Sequence, residues 1–340
     1  MATVYRTTLI PAVAVLRPVD MGAEELFFGQ RTYFDTQEVE FDAATLDGTT
    51  ASYNSFANTA NVVKKDGFDT ITLNPLNINE SINITADNQR NRGVGATKYM
   101  PEGSGNQALR TELEGFGKLK ARADRARKKA MYEAMLTGKI QYGQNGIAEI
   151  DFNMPAGNIE VETGTDLWTD AGSDPITKLI SVYDGMDVTP EAVIMSQAAL
   201  TAFNNHADVR YHSDSDGKPA DVIKYTGDIK AGAKFIKVGR LVDRPLDIYL
   251  EIDTYFKSDG TTRTDYLAAG FCVFGGSESG QMLFGGVPML SGDNITWEAT
   301  EFIPSVDTQN NPVKIDRIFR SSPLPTLKNS KGFYSLKVTA

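Results

Sequence analysis

Residues 104–137 read Ser104-Gly105-Asn106-Gln107-Ala108-Leu109-Arg110-Thr111-Glu112-Leu113-Glu114-Gly115-Phe116-Gly117-Lys118-Leu119-Lys120-Ala121-Arg122-Ala123-Asp124-Arg125-Ala126-Arg127-Lys128-Lys129-Ala130-Met131-Tyr132-Glu133-Ala134-Met135-Leu136-Thr137. Proline is absent and Ala, Leu, Lys, Arg and Glu dominate, a composition that favours helix. Leu109, Leu113, Phe116, Leu119, Ala123, Ala126, Ala130 and Ala134 recur at three- and four-residue steps, which puts them on one face. Ser104 or Asn106 can cap the start, and Gly138 stands where helices stop. Such a helix is roughly 45–50 Å long, more than an ordinary globular core needs. Gly115 and Gly117 weaken its first half, so the firm part is expected from about Lys118.

The other face is basic: Lys118, Lys120, Arg122, Arg125, Arg127, Lys128 and Lys129 crowd around Asp124 in a chain whose net charge is -10. Two readings are open for it. It is a solvated surface, or it faces something negative, either a neighbouring subunit or packaged nucleic acid.

A chain of 340 residues that is 41% apolar can build a sizeable core, with two domains as the prior. No run approaches the ~18–20 apolar residues of a membrane span. The apolar stretch Leu9–Leu16 is broken by Pro11 and followed by Pro18, with no convincing cleavage pattern, so an intracellular product is expected. Cys272 is the only cysteine, which excludes an intrachain disulfide and a thiolate zinc site; within Phe271-Cys272-Val273-Phe274 it reads as a buried, inert thiol.

Residues 1–33 read as an extended arm interrupted by prolines, with a brief apolar patch at Leu26-Phe27-Phe28. Gln37–Asp42 and Asp69–Asn74 alternate polar and apolar, and Ile78, Ile82 and Ile84 continue the strand character. Between them, residues 43–67 are small and polar. This pattern predicts a long two-stranded arm, which needs another surface to lie on. Further on, Asp174 caps a helix begun by Pro175, Val193-Ile194-Met195 is a buried strand, and Ala198–Asn205 is a helix. The alternation suggests an α/β subdomain over about 166–290. Leu246, Ile248, Leu250 and Ile252 alternate into a hairpin turned at Asp259-Gly260, with Tyr266-Leu267 on the return strand. The Gly-rich tract from Gly275 to Gly286 lacks the ending of a phosphate loop and reads as flexible turns.

No catalytic constellation emerges, so no enzyme activity, cofactor or metal is expected. There is no nucleophile elbow, no His-Glu-x-x-His and no dinucleotide fingerprint. His206 and His212 lie in a polar loop, and Asp214-Ser215-Asp216-Gly217 lacks the terminal acid of a calcium loop.

Several features, taken in order, resemble the lambda-like major capsid proteins of tailed phages, the major capsid protein E family. They are Leu26-Phe27-Phe28; Tyr33-Phe34-Asp35-Thr36-Gln37-Glu38-Val39; the stretch from Asn74-Pro75 to Arg90; and the charged helix ending Met135-Leu136-Thr137-Gly138-Lys139. Val161, the Trp168 segment, the Asp259-Gly260 hairpin and the close from Ser321-Ser322-Pro323-Leu324-Pro325 to Val338 complete the series. The resemblance implies an α+β Hong Kong 97-type capsid fold. Residues 1–33 would be an N-terminal arm, 34–95 an extended β-hairpin loop and 96–169 a peripheral domain with 104–137 as its spine helix. Residues 170–290 would be an axial domain, and 291–340 strands returning to the peripheral domain. It implies a tailed-phage head protein that assembles through hexamers and pentamers into an icosahedral shell around double-stranded DNA, built in the host cytoplasm and residing in the virion.

The implied partners are copies of the chain, a separate scaffolding protein, a portal, a possible decoration protein and non-specifically held DNA, with no membrane. Lys118, Arg122, Arg125 and Lys129 would then face inward. Some relatives crosslink lysine to asparagine between subunits, and Asn61, Lys64 and Lys65 near the loop tip offer those residue types, although nothing around them supports that use. The alternatives are an encapsulin-like compartment and, from another class, a soluble hydrolase or carbohydrate-binding protein.

Overall fold

The computed structural model describes residues 19–36, 39–44, 68–73, 77–85, 104–142, 148–207, 209, 223–225 and 233–340, apart from 242, 258, 278, 292–293 and 311–312. The helix α1 spans Gly22–Phe27 and α2 spans Ser104–Thr137, the full stretch expected from sequence. Gly115 and Gly117 do not interrupt α2; both are buried, and a Cβ at Gly115 would stand 3.9 Å from Cδ1 of Ile82. Gly138 ends the helix at φ +68, and its amide donates to the carbonyl of Ala134.

A seven-stranded sheet runs beside α2 in the order Ile159–Val161, Phe333–Lys337, Phe271–Gly275, Ala192–Ser196, Asp247–Glu251, Phe235–Leu241, Ile223–Tyr225. Its central strands are apolar on both faces because both are covered. Ile194, Val273 and Phe333 point into one core with Met131, Met135 and Phe28. Val193, Met195, Cys272, Phe274 and Leu336 point into another. That second core is closed by α3, Pro175–Gly185, and α4, Gln197–Asn205. Asp174 caps α3 by accepting from the Thr177 amide at 3.0 Å, and Ser196 caps α4. The strands Ile159–Val161 and Phe333–Lys337, from the two segments expected beside α2, therefore hydrogen-bond into the sheet of the 170–290 segment.

Five sequence expectations change. Residues 22–34 are body, not an extended arm: Phe27 and Phe28 are fully buried against Phe333, and Arg31–Phe34 pairs in parallel with Gly280–Gly285. The apolar pair outweighs the irregular lead-in, while residues 1–18 lie outside the described set. The two-stranded arm is present as Val39–Ala44 paired with Phe68–Leu73, but Ile78–Thr85 leaves it to pair with Val313–Ser321, beside Ile303–Asn310. There Ile78 and Ile82 cover Phe116, Leu119 and Phe319, burial that a thin arm could not provide.

The hairpin turned at Gly260 joins only Thr254–Phe256 and Arg263–Asp265; Asp247–Glu251 instead lies parallel to Ala192–Ser196 in the sheet. The Gly-rich tract keeps a turn only around residues 276–279, where the Ser279 amide donates to the Gly276 carbonyl; Gly275 and Gly280 sit in strands pressed against rings. A Cβ on Gly280 would come within 2.7 Å of Phe28. His206 is likewise not solvated: it follows α4, and its buried ring Nε2 lies 3.2 Å from Ser173 Oγ. His212 and Asp214–Gly217 fall outside the described residues. Cys272 is buried, and burial pushes its thiol pKa well up.

Candidate assembly surfaces

The basic residues of α2 divide by angle. At 100° per residue, Lys118, Arg122, Arg125 and Lys129 form one stripe, and in the folded chain that stripe is what solvent reaches: the first three are exposed and Lys129 is half-buried. Ala126, expected on the apolar face, is exposed as well. Arg122 makes a two-pronged contact with Glu80, Nε to Oε2 at 3.1 Å and Nη2 to Oε1 at 3.1 Å. Lys129 pairs with Glu133 one turn on at 3.1 Å. Among the described residues no ion pair holds Lys118 or Arg125, so two cations along the stripe remain available to an outside anion.

Arg127 lies on the opposite side of α2 and Lys128 about 60° round from Arg125, and both are buried. Lys128 is 0% exposed, and its Nζ reaches the carbonyl of Asp20 at 2.8 Å, Glu251 at 3.2 Å and Asp253 at 3.1 Å. Tyr132, one turn along, donates to Glu251 Oε2 at 2.6 Å, and the ammonium lies 4.8 Å from the centre of the Tyr266 ring. Burial pushes the Glu251 carboxyl above its ordinary value, although Lys128 and Tyr132 pull it back. Three acceptors around one ammonium are what make so buried a charge tolerable.

Arg127 holds a second cluster. Its Nε lies 3.1 Å from Glu24 of α1 and its Nη2 3.4 Å from Asp124, while Arg31 bridges Glu24 and Glu301. Burial raises the Glu24 pKa against the pull of Arg127 and Arg31. These pairs bind α2 to α1 and to the seven-stranded sheet, and they are structural. Sequence reading grouped them with the surface cations; a helical wheel sets Arg127 apart, but Lys128 stands beside Arg125 on it, and only the carboxylates around its ammonium distinguish the two.

Asn61, Lys64 and Lys65 lie outside the described residues. Among the described residues no cluster of His, Cys, Asp or Glu could hold a metal ion, and no helix is long and apolar enough to cross a membrane.

The sequence matches the family described as phage major capsid protein E over residues 6–338. No curated protein matches it. Among solved structures, one assigned as the capsid protein of a prophage in E. coli CFT073 superposes with a TM-score of 0.66 at 17% identity, covering 96% of this chain and 95% of that one. An encapsulin complex from Synechococcus elongatus PCC 7942 gives 0.50 at 10% identity, with 96% and 89% covered. A phage-related protein from Bordetella bronchiseptica RB50 gives 0.49 at 12% identity, with 97% and 96% covered. At such identities the likeness is one of fold, the Hong Kong 97-type α+β capsid fold.

Proposed function

The chain belongs to the phage major capsid protein E family, and we propose that it builds the head shell through hexamers and pentamers with the exposed stripe of α2 turned toward the interior. The observation that carries this reading is the family match across nearly the whole chain. The stripe supplies its polarity. Lys118 and Arg125 carry unmatched positive charge on an otherwise acidic subunit, which suits phosphate backbones or an acidic scaffolding protein. Contacts of this kind are independent of DNA sequence.

Residues 34–95 would serve as the extended loop and 170–290 as the axial domain, with Asn61, Lys64 and Lys65 meeting a neighbouring subunit. A portal and a decoration protein complete the partners, and assembly takes place in the host cytoplasm. A subunit held by many modest contacts at once gains avidity that no single contact supplies. As a structural subunit it needs no catalytic group.

Expression of the full chain, with and without a scaffolding protein, followed by negative-stain electron microscopy tests the reading. Closed shells, sheets or tubes are expected; monomers alone in both cases overturn it. Particles that co-purify with an enzyme instead of DNA would move the assignment to an encapsulin-like compartment. Charge reversal at Arg122, Arg125 and Lys129 should leave the subunit folded and lower particle yield or genome content. Wild-type yield and content from that variant would refute the inward stripe.

A further inference from the structure

The strands Val287–Ser291 and Asn294–Glu298 form a two-stranded hairpin that pairs with no other strand among the described residues. Its register sets Leu290 opposite Ile295 and Pro288 opposite Trp297, so all four side chains share one face. That face is bare. Leu290 is 75% exposed, Ile295 71% and Trp297 53%, while Val287, on the opposite face, is buried. An isolated hairpin is marginal in water, and one presenting a bulky apolar face to solvent is more costly still.

The hairpin is nevertheless held in place at its base. Arg320 donates through Nη1 to the carbonyl of Pro288 at 3.2 Å, beside a cleft of about 290 Å³ lined by Asn77, Ile78, Asn79, Val287, Pro288 and Arg320. A preorganised apolar face beside a cleft is the form of a docking site, with the cleft available to a projecting side chain.

We propose that this hairpin face is covered by a second copy of the same chain in the shell, an inference that rests on the assembly reading above. Area and charge choose the occupant. The exposed parts of Leu290, Ile295 and Trp297 amount to roughly 400 Å², a whole interaction patch, yet only about half of what one partner contributes to a stand-alone interface. A contact of that size holds only when several act together, which is the situation of a subunit in a closed lattice and not of a lone binary partner. The stretch from Val287 to Glu298 contains no Lys or Arg, so it offers nothing to phosphate backbones or to anionic lipid.

The test uses the full chain. Leu290→Cys introduces a reporter thiol while the native Cys272 stays buried, and maleimide labelling is compared between dissociated subunits and assembled shells. Labelling in shells is expected to fall at least tenfold; equal labelling in both states overturns the inference while leaving the shell reading intact. In parallel, Leu290→Ser with Ile295→Ser should give a folded subunit, by circular dichroism, that yields at least tenfold fewer shells. Wild-type shell yield from that variant also overturns the inference. A wild-type chain that remains monomeric under all conditions overturns the shell reading, and this inference with it.

Discussion

Arg125 and Lys128 stand three residues apart on α2, carry the same charge, and sit in opposite surroundings. Arg125 lies in water on a stripe with Lys118, Arg122 and Lys129; Lys128 is sealed among Asp20, Glu251, Asp253 and the Tyr266 ring. On the stripe a cation is screened and its pairs contribute little to the fold. In the interior the same charge cannot lose its partners without leaving carboxylates stranded. Residue type therefore says little about which cations hold the subunit together and which are available for assembly. Helical angle and the surroundings decide.

The comparison is most exposed to failure at Lys128. Lys128→Ala should destabilise the folded chain by about 3–5 kcal/mol, because Glu251 and Asp253 lose their counter-charge in the interior. Urea unfolding measures this, and a loss under ~1 kcal/mol would mean that the cluster is solvated. Adding Glu251→Gln should recover part of the loss, with a coupling of about 1–3 kcal/mol in a double-mutant cycle.

Next in size is Gly280→Ala, which forces a methyl group to within 2.7 Å of Phe28 and 2.8 Å of the Phe27 carbonyl. A cost of about 1–3 kcal/mol in the same assay is expected from overpacking. A neutral result would show that α1 can move off the sheet, and would return residues 22–34 to the status of a loosely held arm.

Asp174→Asn probes a charge at the surface of the sheet domain, where an effect of at most ~1 kcal/mol is expected from a weakened cap. Burial would raise the Asp174 pKa, but hydrogen bonds from the hydroxyl and amide of Thr177 outweigh it and hold the carboxyl below its ordinary value. The sign follows: this stabilisation is fully present above about pH 4, the unfolded value, and is lost as the pH falls through the lowered native one. Melting temperatures of wild type and variant should therefore converge in acid, and a gap that widens there would contradict the capping role.

Smallest of all is Arg125→Ala, expected to change stability by no more than ~0.5 kcal/mol. Thermal melting of the dissociated subunit checks it. A larger loss would place Arg125 with Arg127 and Lys128 among the structural cations.

Periodicity and composition were enough to define α2 from end to end, the Asp174-Pro175 start of α3, the buried strand through Val193-Ile194-Met195 and the two-stranded arm. In each of these the signal is local: a 3.6- or two-residue repeat, or a cap beside its helix. The ordered features along the chain carried the family as well. The surface stripe was legible in principle, since residues 118, 122, 125 and 129 are related by helical angle alone.

What lay beyond the sequence were the partnerships between distant segments. Lys128 meets Glu251 and Asp253, Ile78–Thr85 joins Val313–Ser321, Phe27 and Phe28 meet Phe333, and Gly280 fits under a ring. None of these pairs carries a mark of its own in the chain. A lysine reads the same whether its ammonium is hydrated or enclosed, and a glycine reads the same in a turn or beneath a phenylalanine. Each choice is made by the free energy of burying those atoms together, and that quantity exists only once the tertiary structure has brought them within contact.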